Sequence, residues 1–401
     1  MGDVDDEQLR GMVADLLAEV PPDQVDQVTF RGEQYDRGLA VVSFPEGLGG
    51  LGLEPRAQTV VDAELAKAPK TYSNISVNAI GIGMGMPTVL AYGSDEMKRT
   101  LFRPCFTGEE IWCQLFSEPS AGSDVAGLGA RAVLDGDEWV VNGQKVWTTL
   151  AHVARWGMLV ARSDPDQPKH KGLTYFLLDM AAPGVDVRPL FQITGEAEFN
   201  EVFLTDVRIP DASRLGDRGQ GWSVAVTTLM NERVALGGGV SRRGTGPIGV
   251  LVDTWRQRRD SLTPQRRAVL RDRVVSLWAR AEALRLTHHR AAETASSGTP
   301  GPEGSVGKLI SAELNQEIYD CILDVVGADA AVHEPGYPMA RPENLTGGSD
   351  LGTHGFLRSR ANSIEGGTSE IMRNILGERV LGLPKEPGVD RDIPWSEIPR
   401  G

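Results

Sequence analysis

The spacing of apolar positions divides the chain into two helical regions with a strand-rich region between them. Near the amino end, Leu9, Val13 and Leu16 recur at helical spacing, and helical patterns continue to about residue 110. From about residue 112 the chain changes to short runs rich in β-branched and aromatic residues, which are typical of strands. Helical spacing returns at Trp222. The pattern predicts an α+β fold with domains at residues 1–111, 112–218 and 219–401.

The pattern also locates single elements. Alternation over residues 138–146 surrounds the dipeptide Asn142-Gly143, which is typical of a two-residue turn, so we expect a hairpin there. Further strands are predicted at residues 156–162, 173–179, 185–189 and 201–209, and helices at residues 265–294, 305–326 and 369–381. We expect the strand-rich region to form one antiparallel β domain.

Charge and cysteine content exclude several classes of protein. A formal net charge of −14 argues against nucleic acid or an anionic membrane surface as the main partner. Cys105, Cys113 and Cys321 show no C-x-x-C spacing, which is typical of a reducing compartment. The amino end is acidic where a targeting peptide is basic, and no apolar run reaches membrane-spanning length. We therefore expect a cytoplasmic protein without membrane insertion.

The chemistry is concentrated between Trp112 and Thr149. After Pro119 the small residues of S-E-P-S-A-G-S-D leave backbone N–H groups open, which suits the approach of a flat hydrogen-bonding ring or a phosphate. Taken alone, this octapeptide fits a surface turn equally well. About two dozen residues later, Trp147-Thr148-Thr149 places an aromatic wall beside hydroxyl donors. The two segments together favour a flavin site.

With these two segments the chain resembles the acyl-CoA dehydrogenase family over nearly its whole length. The resemblance implies FAD as cofactor, an acyl-CoA thioester as substrate and an electron-transfer flavoprotein as electron acceptor. It implies an N-terminal helical domain, a central antiparallel β domain and a C-terminal four-helix bundle. Matched positions imply flavin contacts from Gln114, Phe116, Ser117, Gly122, Ser123, Trp147, Thr149, Gly367, Thr368, Ser369 and Glu370. Ser123 and Arg233 match positions that also contact the acyl-CoA.

The implied reaction removes an α-proton and a β-hydride from the thioester. The α-carbon is a very weak acid, so a carboxylate base is needed in a dry pocket, where burial raises its pKa. The family places this base in a Y-E-G-T type segment or on a helix directly before an arginine. In the first segment, Gly366 occupies the catalytic position of this chain and Glu365 falls one residue early.

The second position holds Glu232, directly before Arg233. At about 100° per residue, Glu232 falls at the edge of an apolar stripe, beside Ala225 and Leu236. A carboxylate on a buried face is costly unless it is paired or functional. We therefore expect Glu232 to be the base, with Glu365 as the reserve. The alternative is that Glu232 pairs with an arginine of a neighbouring helix and only supports packing.

The segments that hold the ADP half of FAD in the family differ in this chain. The R-x-x-F-G segment is missing, since no phenylalanine occurs between Phe203 and Phe356. The Q-x-x-G-G-x-G segment reads D-V-V-G-A-D-A, and its two carboxylates, Asp324 and Asp329, would repel a pyrophosphate. One explanation is an α2β2 assembly in which a related subunit supplies these contacts. The other is a homo-oligomer that holds the ADP through other groups.

We therefore expect an FAD-dependent acyl-CoA dehydrogenase. Two alternatives stay open from the sequence: an oxidase-like flavoenzyme that uses oxygen, or a structural subunit of a heteromeric dehydrogenase with reduced activity. A metal site is not expected, because His288 and His289 point to different faces of a helix despite the nearby Glu282.

Overall fold

The computed structural model describes residues 4–236, 242–296, 303–332, 339–343, 352–385, 387–388, 390 and 392–399. Its amino-terminal region is helical, and the first helix begins with a capping box. The Asp5 carboxylate accepts from two backbone N–H groups, and the side-chain oxygen of Gln8 accepts from the backbone N–H of Asp5. A short π-helix, Gly81–Gly85, joins the fourth and fifth helices. The helices are α1 (Asp6–Glu19), α2 (Gln27–Asp36), α3 (Gln58–Leu65), α4 (Asn74–Ile80), α5 (Met86–Tyr92) and α6 (Asp95–Thr107).

The central region forms a single sheet with the strand order β6-β7-β3-β2-β4-β5-β8, and β1 pairs with β4 off this path. Its strands are β1 (Ile111–Leu115), β2 (Arg131–Asp135), β3 (Glu138–Thr149), β4 (Ala154–Arg162), β5 (Leu173–Asp179), β6 (Val185–Pro189), β7 (Phe199–Pro210) and β8 (Arg214–Leu215). Most strand pairs are antiparallel, as the sequence predicted, but β1 runs parallel to β4. β2 also meets β4 in parallel, at one residue pair. These parallel pairs are possible because long connections separate the partners along the chain.

The predicted hairpin at Asn142-Gly143 is wrong. β3 continues through this dipeptide, and the turn lies between β2 and β3, where Gly136 has a φ of +67°. The pairing of β3 with β7 shifts between Val141 and Gly143, and a Cβ on Gly143 would lie 2.5 Å from the Cβ of Ala130. Gly143 therefore marks a bulge in β3, where its backbone closely approaches Ala130, and not a turn.

The carboxyl-terminal region returns to helices. Its helices are α7 (Gly221–Leu236), α8 (Pro247–Arg258), α9 (Pro264–Ser296), α10 (Glu303–Val326), α11 (Thr353–Ser359) and α12 (Ser369–Ile375). α8, α9 and α10 enclose a core that includes Leu251, Leu277 and Ile322. The helix predicted at residues 369–381 corresponds to α12 followed by a short π-helix, Leu376–Val380. Among the described helices, none is long and apolar enough to cross a membrane.

Candidate active site

The octapeptide S-E-P-S-A-G-S-D opens a loop between β1 and β2, and the carboxylate of Glu118 holds it in place. Glu118 is buried and accepts from the backbone N–H groups of Gly129 at 2.7 Å and Ala130 at 2.9 Å. It also accepts from the buried ammonium of Lys145 at 2.8 Å. Burial lowers the pKa of Lys145, and the charge of Glu118 opposes that change. Sequence reasoning missed both residues, because a glutamate in a Pro/Gly/Ser turn resembles a solvated one.

The start of the loop lies beside β3, directly before the W-T-T segment. The backbone N–H of Val146 donates to the carbonyl of Ser117 at 2.9 Å, which ties β3 to the start of the loop. Gly122 and Ser123 are exposed at the other end of the turn, and nothing lies within 4 Å of a Cβ placed on Gly122. The loop therefore presents open backbone, while Phe116 is buried edge-on against Tyr175.

Trp147 stands out of the sheet in an unusual backbone conformation. Its φ is +60°, and its side chain is 58% exposed although it is a large aromatic. The pairing of β3 with β7 is interrupted between Lys145 and Thr148, which lets the chain turn its indole outward. The ring meets Phe199 edge-on at 5.8 Å, and Phe199 pairs with Thr149. A strained residue of this kind is typical of a ligand site.

Several buried polar atoms in the segments matched to the flavin site lack a hydrogen-bond partner among the described residues. They include Nε2 of Gln114, Oγ1 of Thr148 and Oγ of Ser369. Buried donors and acceptors are almost always satisfied, so these three atoms have hydrogen-bonding capacity that a ligand can use. Together with the open loop and the exposed indole of Trp147, they fit a flavin.

The carboxyl-terminal part of the site surrounds the start of α12. Gly366 and Gly367 have φ values of +61° and +93°, which only glycine adopts without strain. The side chain of Thr368 caps α12 by accepting from a backbone N–H in its first turn. Lys308 donates to the carbonyls of Asn362 and Gly367, and burial lowers the pKa of its ammonium. Glu370 is exposed and pairs with Arg373.

α7 brings Glu232 to this same place. The Oε1 atom of Glu232 lies 3.8 Å from the position that a Cβ on Gly366 would occupy. Glu232 is half-buried, one helical turn after Thr228. The two positions that the sequence offered for a base therefore meet in space. The side chain of Arg233 lies outside the described residues, although its backbone belongs to α7.

Glu365 has different surroundings. Its two carboxylate oxygens accept from the two terminal nitrogens of Arg358 at 3.2 and 2.9 Å, and one of them also accepts from Asn362 at 2.7 Å. Arg358 lies 3.6 Å from Glu198 as well. Glu365 is thus held in an ion-pair network between α11 and the sheet.

A buried hydroxyl network fixes α7 against the other two regions. Thr228 lies 3.0 Å from the hydroxyl of Thr88 on α5 and 3.0 Å from that of Tyr175 on β5. All three side chains are buried, and burial raises the pKa of the Tyr175 phenol. The network places the turn of α7 that precedes Glu232.

The two carboxylates in the altered ADP segment are paired within this chain. Asp324 accepts from Arg273, and Asp329 accepts from Arg258 at 3.0 Å. Arg258 lies in the part of the sequence where the family has its R-x-x-F-G segment, so it is a candidate for the arginine of that motif. Its pairing with Asp329 turns it toward this chain's own acidic group.

The fold and the site define a flavin-dependent oxidoreductase with two helical regions around a central β domain. Family profiles match almost the whole chain: the N-terminal, middle and C-terminal domains of acyl-CoA dehydrogenases match residues 4–109, 113–207 and 219–381. The chain belongs to the acyl-CoA dehydrogenase family, whose members are FAD-dependent enzymes.

Individual relatives agree with this assignment. The chain is 38% identical over 380 residues to acyl-CoA dehydrogenase FadE34 of Mycobacterium tuberculosis, covering 94% of this chain but 49% of that protein. The chain therefore spans about half the length of FadE34. It is 37% identical to acyl-CoA dehydrogenase IpdE1 of the same organism, covering 87% of this chain and 86% of IpdE1. A solved chain of the ChsE4-ChsE5 complex from M. tuberculosis superposes with a TM-score of 0.69 at 27% identity, covering 95% of this chain and 97% of that one.

Proposed function

We propose that this chain catalyses α,β-dehydrogenation of an acyl-CoA thioester, with Glu232 as the base. The carboxylate of Glu232 takes the proton from the α-carbon, the β-carbon loses a hydride, and the product is the trans-2-enoyl-CoA. FAD, when bound, supplies the acceptor for that hydride. Neither half of the step needs a further reactant, since the base receives the proton and the cofactor receives the electron pair.

The observation that carries this proposal is the approach of Glu232 to Gly366. Gly366 has no side chain, and the carboxylate of Glu232 on α7 lies beside its backbone. The positive φ of Gly366 also disfavours a larger residue there. Glu365, the neighbouring carboxylate, accepts three hydrogen bonds from Arg358 and Asn362 instead. The approach to Gly366 therefore supports Glu232 as the base, and the contacts of Glu365 with Arg358 and Asn362 support a structural role for that carboxylate.

We also propose roles for the other residues matched to the site. The loop that contains Gly122 and Ser123 presents open backbone to the flavin, and Trp147 covers it from the sheet. Ser369 and Gln114 satisfy buried hydrogen bonds with the cofactor. We propose that Ser123 and Arg233 contact the acyl-CoA.

The reaction can be tested with the 401-residue chain in its FAD-loaded form, co-expressed with a related subunit if FAD binding requires one. Anaerobic mixing with a panel of short, branched, aromatic and polycyclic acyl-CoAs should bleach the flavin with at least one member and yield one enoyl-CoA per flavin. No bleaching with any member, in protein that holds FAD, would contradict the proposed reaction. Admitting air to the reduced enzyme then separates two acceptors: slow reoxidation supports transfer to an electron-transfer flavoprotein, and rapid reoxidation supports an oxidase.

We also propose that the chain assembles with a related subunit. The ADP-binding segments of the family are altered here, and Arg258 is paired with Asp329 of its own chain. The similar ChsE4-ChsE5 structure is a complex of two named chains. An α2β2 assembly would supply the missing contacts from the partner.

Flavin content tests this assembly. The chain purified alone should carry clearly less than one FAD per protomer, and co-expression with a related subunit should bring the complex to full occupancy of its sites. Full occupancy in a homo-oligomer would remove the need for a partner. An occupied complex in which Glu232→Gln has no effect would instead favour a structural subunit.

A further inference from the structure

A segment near the carboxyl end returns to the β domain and lies across two of its loops. This segment, residues 390 and 392–398, is called the C-terminal strap below. The backbone N–H groups of Trp395 and Ser396 donate to the carbonyls of Gln167 and Pro165, both at 2.9 Å. Pro394 forms a bridge with Pro168. The strap therefore pairs with the connection between β4 and β5.

Trp395 extends this contact to the loop that opens with S-E-P-S-A-G-S-D. Its indole Nε1 donates to the carbonyl of Gly127 at 3.1 Å. Its ring covers the guanidinium of Arg162, with 4.6 Å between the guanidinium carbon and the ring centre. Arg162 is buried and donates to the carbonyls of Ala126 and Leu128 at 2.6 and 3.2 Å. Trp395 thus shields the arginine that holds the end of the loop.

A charged contact reinforces the same junction. The ammonium of Lys169 donates to Asp390 of the strap at 2.6 Å and to Asp124 of the loop at 2.9 Å. The carbonyl of Lys169 accepts from Arg162 at 2.8 Å. Lys169 is buried, whereas the side chain of Asp124 is exposed and that of Asp390 is partly exposed, so these two charge-assisted bonds face water on their carboxylate side. Asp124 directly follows Ser123, the residue proposed to face both the flavin and the acyl-CoA.

The loop is therefore fixed at two places with open backbone between them. Glu118 fixes one side through Gly129 and Ala130. The strap fixes the other side directly through Gly127, and Lys169 links Asp390 of the strap to Asp124. Gly122 and Ser123, which are exposed, stand between these anchors.

We propose that the C-terminal strap positions the loop that opens with S-E-P-S-A-G-S-D, which we call the flavin loop, and that Trp395 is its positioning residue. The proposal rests on the proposed function for what the loop binds. Without the strap, Arg162 loses its cover and Gly127 loses a donor, so residues 121–128 sample conformations that do not present Ser123 to the ligand. If the loop becomes ordered only on binding, the entropy cost of ordering it lowers the affinity for the cofactor.

The test uses full-length, FAD-loaded protein and three variants. Trp395→Ala removes the ring and the donor, while Trp395→Phe keeps a ring over Arg162 and removes only the donor. Trp255→Phe is the matched control, since Trp255 is half-buried in the core of the carboxyl-terminal helices, away from the loop. Amide hydrogen exchange, FAD affinity and the separate values of kcat and KM are measured for each.

Trp395→Ala should speed exchange in residues 121–128 by roughly tenfold, since one hydrogen bond and one cation–π contact are lost. It should weaken FAD binding and raise KM for acyl-CoA by similar factors, with kcat less affected. Trp395→Phe should fall between Trp395→Ala and the wild type, and Trp255→Phe should leave loop exchange unchanged. Wild-type loop exchange and FAD affinity in Trp395→Ala would overturn the proposal.

The two proposals fail in different ways. A wild-type protein that bleaches with no acyl-CoA contradicts the reaction, yet faster loop exchange in Trp395→Ala would still support the strap. An active dehydrogenase whose Trp395→Ala variant keeps wild-type exchange and FAD affinity contradicts the strap alone.

Discussion

At the scale of single residues, three glutamates show how surroundings decide a role. Glu118 is buried against Lys145 and two backbone N–H groups, so it holds a loop. Glu365 is paired with Arg358, so it ties its own segment to α11. Glu232 has an oxygen 3.8 Å from the position that a Cβ on Gly366 would occupy, and we propose that it is the base. Helical spacing in the sequence could select Glu232, but the role of Glu118 depends on contacts with Lys145 and Ala130, which no local pattern reveals.

The buried pair of Glu118 and Lys145 gives a stability prediction. Glu118→Gln leaves the buried ammonium of Lys145 without its counter-charge, so unfolding should become easier by about 3 kcal/mol. Urea denaturation of the FAD-free protein measures this. The control is Glu138→Gln, whose partner Arg208 is exposed, and its effect should stay below about 1 kcal/mol. Equal effects of the two variants would show that the buried pair does not hold the loop.

At the scale of elements, long periodic segments were predictable and short connections were not. Residues 265–294 and 305–326 were predicted as helices and correspond to α9 and α10, because an apolar stripe of that length fits no other element. Asn142-Gly143 was wrongly predicted as a turn, because the glycine is needed for the close approach of Ala130. The outward Trp147 follows from a break in pairing with β7, which depends on residues about fifty positions away.

The strap gives a pH prediction at this scale. The hydrogen bond from Lys169 holds the pKa of Asp390 below its ordinary value of 3.8. Burial alone would lower the pKa of Lys169, but its bonds to Asp390 and Asp124 raise it overall. A carboxylate with a lowered folded pKa stabilises the folded state above its unfolded pKa, and this contribution is lost as pH falls through the folded value. The strap should therefore stay docked at neutral pH and loosen below about pH 4.

The indole N–H resonance of Trp395 reports this loosening by NMR. Its position should be constant near neutral pH and shift at acid pH. In Asp390→Asn the acid shift should be smaller, because the group that loses its charge is gone. An identical acid shift in that variant would assign the loosening to another group.

At the scale of the whole molecule, α7 joins the three regions around the site. Thr228 contacts Thr88 of the amino-terminal helices and Tyr175 of the sheet, and Glu232 follows one turn later. The order of helices, strands and helices was predictable from periodicity, and the family follows from two short segments. The meeting of Glu232 with Gly366 needed the fold, because 134 positions separate them along the chain.

The hydroxyl network should stabilise the molecule as a unit. Thr228→Val removes both contacts and leaves two buried hydroxyls with fewer partners, so unfolding should become easier by about 1–3 kcal/mol. The control is Thr227→Val, which loses a half-buried contact to Tyr92 and should cost less. Thermal unfolding of both variants measures the difference. A larger cost for Thr227→Val would contradict the proposed role of Thr228.

The central claim is that Glu232 removes the α-proton. The most direct measurement is the rate of flavin bleaching after anaerobic mixing with an acyl-CoA that reduces the wild-type protein. Glu232→Gln should keep its FAD spectrum and lose about two to four orders of magnitude in this rate. Glu365→Gln should keep most of it, since Glu365 serves Arg358 and Asn362. Normal bleaching in Glu232→Gln, with loss in Glu365→Gln, would contradict the account.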